Sequence, residues 1–254
     1  MMKKNILLIV FTLILSGIPL ISNATSAILV WPIFQSIAST QSGSELWLQN
    51  KGSAPVTLQI RIFKWAQRNS SDVYADQREI IASPPFVTIQ AGQQQVTRLI
   101  RLNTPTEKTE MAYRIVIDEI PVAASTDQQK NGAGLIMRMR YVLPLFSYGP
   151  GLSPLSQSGP VTEIQRHLRW QLLRQKDHNS LLITNNGSSH ARLSDIYFSG
   201  DPSNTPYYLA KGFLGYVLPG QTVRFPAPAN LPTGVHLFSR LADNVNPVIL
   251  PAAR

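Results

Sequence analysis

Short segments that alternate apolar and polar residues recur along this chain, each closed by a turn signal. A period of two residues is the period of a strand half-buried in a sheet, and no amphipathic run of three helical turns competes with it. Strands are expected at Ile28–Ser36, Glu45–Gln49, Val56–Trp65, Val73–Ile81, Phe86–Ile89, Gln94–Leu102, Met111–Glu119 and Gly134–Ser147. Turns fall at Asn50-Lys51-Gly52-Ser53, Ser83-Pro84-Pro85, Ala91-Gly92 and Asn103-Thr104-Pro105. Two Gly-Pro clusters then follow closely, Tyr148-Gly149-Pro150-Gly151 and Ser158-Gly159-Pro160, and read as a linker over 148–160. Strands resume at His167–Arg174, Ser180–Thr184, Ala191–Ser199, Phe213–Leu218, Thr222–Phe225 and Val235–Leu241. The pattern predicts an all-β protein of two sandwiches, 28–147 and 161–254.

Residues 1–27 do not belong to that pattern. Lys3 and Lys4 precede an apolar stretch from Ile6 to Leu15, and small residues follow at Ala24 and Ala27. This is the layout of a secretory signal peptide, with cleavage expected after about Ala24 or Ala27. The apolar run is too short to span a bilayer, which takes roughly 20 residues. The mature chain is therefore expected to have no membrane span. Loss of Lys3 and Lys4 lowers the formal charge from +9 to +7. The basic residues are spread out, with no run of five and no aromatic–basic cluster, so no nucleic-acid partner is expected. The chain has no cysteine, which excludes disulfides, thiolate metal sites and cysteine nucleophiles.

No catalytic constellation can be assembled. His167, His178, His190 and His236 do not fall at metal-ligand spacing, and the nucleophile-elbow, P-loop and dinucleotide motifs are absent. Asp118 and Glu119 are neighbours on a strand and point to opposite faces, which prevents them from sharing a proton. Neither an enzyme, a metal site nor a cofactor is expected.

Two features ask for a binding role. The segment 134–147 presents Leu135, Met137, Met139, Tyr141, Leu143 and Leu145 on one face. Such a long apolar strand is either interior or an edge to which another chain adds. Arginines also recur on strands: Arg98, Arg101, Arg114, Arg138 and Arg140. Arg114 sits among Tyr113, Ile115, Val116 and Ile117 and needs an acid. That acid is either internal, for instance Glu110 or Glu119, or a carboxylate from outside that its guanidinium grips with two bonds.

The ordered set of motifs resembles the PapD-like periplasmic chaperones of the chaperone–usher pilus pathway. It consists of Leu48-Gln49-Asn50 with Gly52 and Pro55-Val56; Ser83-Pro84-Pro85-Phe86 with Ile89, Gly92 and Val96-Thr97-Arg98; Tyr113-Arg114 with Asp118-Glu119-Ile120-Pro121; and Gly134 to Phe146. In the second half it continues with Leu182 to Gly187, His190-Ala191 and Gly215 to Gly220. The resemblance implies two immunoglobulin-like sandwiches in an angled (boomerang) arrangement around a cleft. It also implies a periplasmic location and, as partners, pilin subunits and an outer-membrane usher. A donor strand would fill the subunit's groove with Leu135, Met137 and Met139, with Tyr141 following. The Trp31-Pro32-Ile33-Phe34 and Val142-Leu143-Pro144-Leu145-Phe146 stretches lack the basic anchors of the best-known branch and are similar to the archaic, Csu-type branch. In that branch the subunit's C-terminal carboxylate would fall to Arg114, with Arg98 and Arg101 in reserve. A structural pilus or adhesin subunit is the competing reading.

Overall fold

The structure is a computed structural model that describes residues 28–121, 138–154, 161–175, 179–200, 206–242 and 246–253. The expected signal segment, Leu135, Met137 and the second half of the expected linker lie outside the described residues.

Two pairs of sheets are built. In the first pair, one sheet runs in the order β1 (Ile28–Trp31), β3 (Gly43–Asn50), β8 (Gln94–Arg101), β6 (Ile80–Ser83). The other runs β2 (Gln35–Ile37), β10 (Arg140–Tyr148), β9 (Glu110–Ile120), β4 (Val56–Arg68), β5 (Ser71–Ala75), with β7 (Phe86–Ile89) also on β4. Their facing sides enclose Leu46, Leu48, Leu58, Ile60, Leu99, Tyr113, Ile115, Ile117 and Leu145. After the short helix α1 (Val161–His167), the second pair is β11 (Leu168–Arg174), β12 (Asn179–Asn185), β15 (Thr222–Ala227) against β14 (Tyr207–Val217), β13 (Ala191–Ser199), β16 (His236–Leu241), β17 (Val248–Leu250). A separate core forms there around Leu181, Ile183, Leu193, Ile196, Phe198 and Leu237. The chain is thus all-β in two sandwiches.

The two sandwiches use the same turn device. Asn50 donates from its side-chain amide to the Ala54 and Ile89 carbonyls and accepts from the Gly52 N–H. Asn185 does the same with Ser189, Val217 and Gly187. Asparagine supplies both donor and acceptor in one short side chain, so each buried turn is satisfied locally.

Several strand expectations are corrected. The single strand expected at 28–36 is two: β1 lies in one sheet, and after Pro32 the chain crosses to the other, where β2 runs parallel to β10. Val73–Ile81 also divides, into β5 and β6 on opposite sheets. Of the strand expected over fourteen residues from Gly134, residues 134–137 lie outside the described residues, and the described strand runs from Arg140. It also runs through Tyr148, which the expected linker had claimed. Helix α1 was not anticipated, and neither was β17.

A third apolar cluster joins the sandwiches. Trp65, Ala112, Phe146 and Tyr148 from the first pack with Tyr216 and Leu218 from the second. Gln67 is buried there; it donates to the Tyr216 carbonyl at 2.9 Å and accepts the Leu218 N–H at 2.9 Å. Glu110 is fully buried and accepts from the His190 backbone N–H at 3.0 Å, with His190 Nδ1 at 2.9 Å. The His190 ring stacks on Phe146 at 3.5 Å. Gln67→Ala strips the partner from a buried N–H and a buried carbonyl. It should lower stability by about 1–3 kcal/mol, read as a shift in the urea midpoint by tryptophan fluorescence. An unmoved midpoint would show that the clamp is not needed.

Candidate functional site

The outer face of the β2-β10-β9-β4-β5 sheet carries the site. Register aligns its side chains in rows across β4, β9 and β10. The first row is Trp65, Ala112 and Phe146, the buried one beneath the second sandwich. The next is Phe63, Arg114, Pro144, and the next Arg61, Val116, Val142. Last comes Gln59, Asp118, Arg140. Strand alternation places each row on the side opposite Tyr113, Ile115 and Ile117, which fill the core.

Arg114 is the most constrained group on this face. Its side chain is only 12% exposed, and its guanidinium lies 3.6 Å from the Trp65 ring and 5.3 Å from Tyr216 of the second sandwich. The acid it finds is Asp72 of β5, at a long 3.4 Å, rather than Glu110 or Glu119. Asp72 also accepts from Gln67 at 3.2 Å and from the Tyr74 hydroxyl at 3.3 Å. Burial, and then Asp72, hold the Tyr74 pKa above its ordinary value, against a smaller opposing pull from Arg114, so Tyr74 stays a donor. The Arg114 Nε is buried without a hydrogen-bond partner. A guanidinium over an indole, with one long ion pair and an Nε without a partner, has capacity left for an anion.

At the far row, Asp118 joins two arginines. It accepts from Arg61 at 2.6 Å and from Arg140. Burial alone would raise its pKa; hydrogen bonds from Arg140 and Arg61 outweigh that and hold the carboxyl below its ordinary value. This pairing fastens the start of β10 to β9. Just beyond it, β10 is half open. Its edge away from β9 pairs with β2 only at Leu145–Ser147, so among the described residues Arg140–Leu143 meet no strand on that side. Met139 precedes this open edge and is 41% exposed.

The residues singled out from sequence separate here. Arg114 and Met139 lie at the site. Tyr141 packs on the chain's own core and donates its hydroxyl to the Ile28 carbonyl at 2.8 Å. Arg101 is buried and donates to Ser147 Oγ, the Tyr148 carbonyl, and the Ser39 and Gln41 carbonyls. Desolvation lowers its pKa, and its bonds tie the 39–41 loop to β10. Arg98 is exposed on β8, in the other sheet. Asp72, Trp65, Phe63 and Tyr216 were not singled out. Only pairing across strands puts them beside Arg114, and no local spacing reveals that. Among the described residues no group of histidines and acids could hold a metal ion, and no helix is long and apolar enough to cross a membrane.

Residues 35–152 match the family model described as pili and flagellar-assembly chaperone, PapD N-terminal domain. The chain is 30% identical to CsuC, in the crystal structure of the CsuC–CsuE chaperone–tip adhesion subunit pre-assembly complex from archaic chaperone-usher Csu pili of Acinetobacter baumannii. That match covers 90% of this chain and 100% of the other, with a TM-score of 0.68. The E. coli chaperone DraB shares the fold at 14% identity, with 90% and 98% of the chains covered and a TM-score of 0.62. The structure of Salmonella enterica SafA pilin with the SafB chaperone matches at 16%, with 91% and 98% covered and a TM-score of 0.60. No curated protein matches the chain.

The ion network makes a pH prediction. Because the Asp118 pKa is depressed on folding, its contribution is present above the unfolded value of about 3.9 and is lost as pH falls through the lower folded value. Asp118→Asn should reduce stability at neutral pH and make the acid limb shallower below about pH 4. Parallel wild-type and mutant curves across that limb would contradict the assignment.

Proposed function

Because the chain belongs to the PapD-like family of pilus-assembly chaperones, we propose that it works in the periplasm, captures pilin subunits by donor-strand complementation and delivers them to an outer-membrane usher. The observation that carries this reading is the half-open edge of β10 beside a partly idle Arg114. An exposed strand edge is a hazard unless another chain is meant to add to it. A subunit lacking one strand gains its missing hydrogen-bond ladder from that edge. Leu135, Met137 and Met139 alternate toward the subunit's groove, and each contributes about 1.5–3 kcal/mol when fully buried. Methionine's soft, unbranched side chain suits a groove whose shape varies between subunits. Tyr141, whose hydroxyl is engaged by Ile28, holds the base of the donated strand to its own sandwich.

Arg114 receives the subunit's C-terminal carboxylate and so sets the register of the added strand. Arg101 and Arg98 do not compete for this role. The first spends its donors on four oxygens, and the second lies on the other sheet. Release follows when the next subunit's own extension replaces β10, so no nucleotide is required.

Arg114→Ala should lower the yield of copurified subunit at least about tenfold while leaving circular dichroism unchanged. Undiminished capture would remove Arg114 from the site. Met137→Glu should abolish the complex without unfolding the free protein. A mutant that fails to fold would instead place Met137 in the protein's own core.

A further inference from the structure

The face that carries Arg114 holds more than a cation. Between the Arg114 row and the Asp118 row lies a cavity of about 280 Å3, walled by Phe63, Tyr74, Val116 and Val142. Arg114 closes one end, and Arg61 and Arg140 stand at the other. The fold does not require this apolar lining. Val142 is 46% and Tyr74 50% exposed, on the sheet face that the sandwich's own core does not use. An apolar hollow left open beside a buried cation marks a ligand site.

Charge selects the kind of ligand. The cavity is lined by three arginines and no acid. Two of them share the single Asp118 carboxylate at short range, and Arg114, with its long contact to Asp72 and its buried Nε without a partner, is the end held least by the chain's own acids. Distance selects it further. Arg114 and Val116 are two residues apart on one strand, about 7 Å. Both line the one cavity, so a carboxylate held at Arg114 leaves the side chain of the same residue beside Val116. A ligand that satisfies both ends carries its carboxylate and its apolar group on one Cα.

We propose that this cavity is a subsite for the side chain of the partner polypeptide's last residue, and that it selects a large apolar or aromatic residue there. The inference rests on the reading of Arg114 as the carboxylate anchor and adds to it a rule for which chain ends are accepted. A glycine end would leave the cavity wet. A lysine or arginine side chain would be desolvated against Phe63 and the two valines with three arginines around it and no acid.

Three small probes separate the parts: N-acetyl-L-phenylalanine, its amide, and N-acetylglycine, each titrated into isotopically labelled protein by NMR. The expected result is that the phenylalanine acid shifts the Arg114 Nε–H and the Val116 and Val142 methyls, and binds at least about tenfold more tightly than N-acetylglycine. The amide should lose most of that affinity. Val142→Ser, on an exposed position, should narrow the gap between the two acids while N-acetylglycine binds as before. Equal affinity of the two acids would overturn the subsite and leave the carboxylate anchor standing. An amide as tight as the acid, or no shift at Arg114 with any probe, would overturn both.

Discussion

Successive side chains on a strand point to opposite faces, and β9 depends on this constraint more than any other element. Tyr113, Ile115 and Ile117 complete the first core, while Arg114, Val116 and Asp118 face outward between β4 and β10. A slip of one residue would bury the arginine and the aspartate and expose the tyrosine and both isoleucines, so the core itself enforces the register. The site therefore needs no dedicated scaffold. It is the reverse side of the core, aligned to the same precision.

The second constraint is the junction between the sandwiches. Domain interfaces within a chain tend to be polar and mobile unless apolar groups lock them. Here Trp65, Phe146 and Tyr216 supply the apolar contact, and Gln67 and Glu110 satisfy the backbone and His190 within it. Trp65 and Tyr216 are also the rings nearest the Arg114 guanidinium. The groups that fix the junction thus also surround the proposed carboxylate anchor. The protein's basicity matters only in this local form, as a few arginines whose partners differ. Arg101 is spent on structure, Arg61 and Arg140 on Asp118, and Arg114 on little.

Much of the fold is legible in the sequence. Strand periodicity and turn chemistry locate most strands, because each is a local property of consecutive residues. Misreadings occur where a tertiary choice overrides a local one. The stretch from Val73 to Ile81 carries no glycine or proline to mark a break, yet its halves sit on opposite sheets. Ile28 to Phe34 is apolar throughout, and the chain changes sheet after Pro32. At the site, Arg114 stands out as a charge among apolar neighbours. Asp72 does not, because an exposed aspartate in a hairpin is ordinary until pairing of β4 with β5 carries it to that guanidinium. Arg101 and Arg98 look equivalent as letters, and only burial separates them.

The central claim is that the open edge of β10 is where a subunit joins. Backbone hydrogen exchange at the amides of Arg140–Leu143 that point away from β9, with and without a bound pilin subunit, addresses it most directly. The account predicts fast exchange in the free protein and strong protection in a one-to-one complex, confined to this edge and the Arg114 face. Unchanged exchange there, with protection elsewhere on the surface, would contradict it.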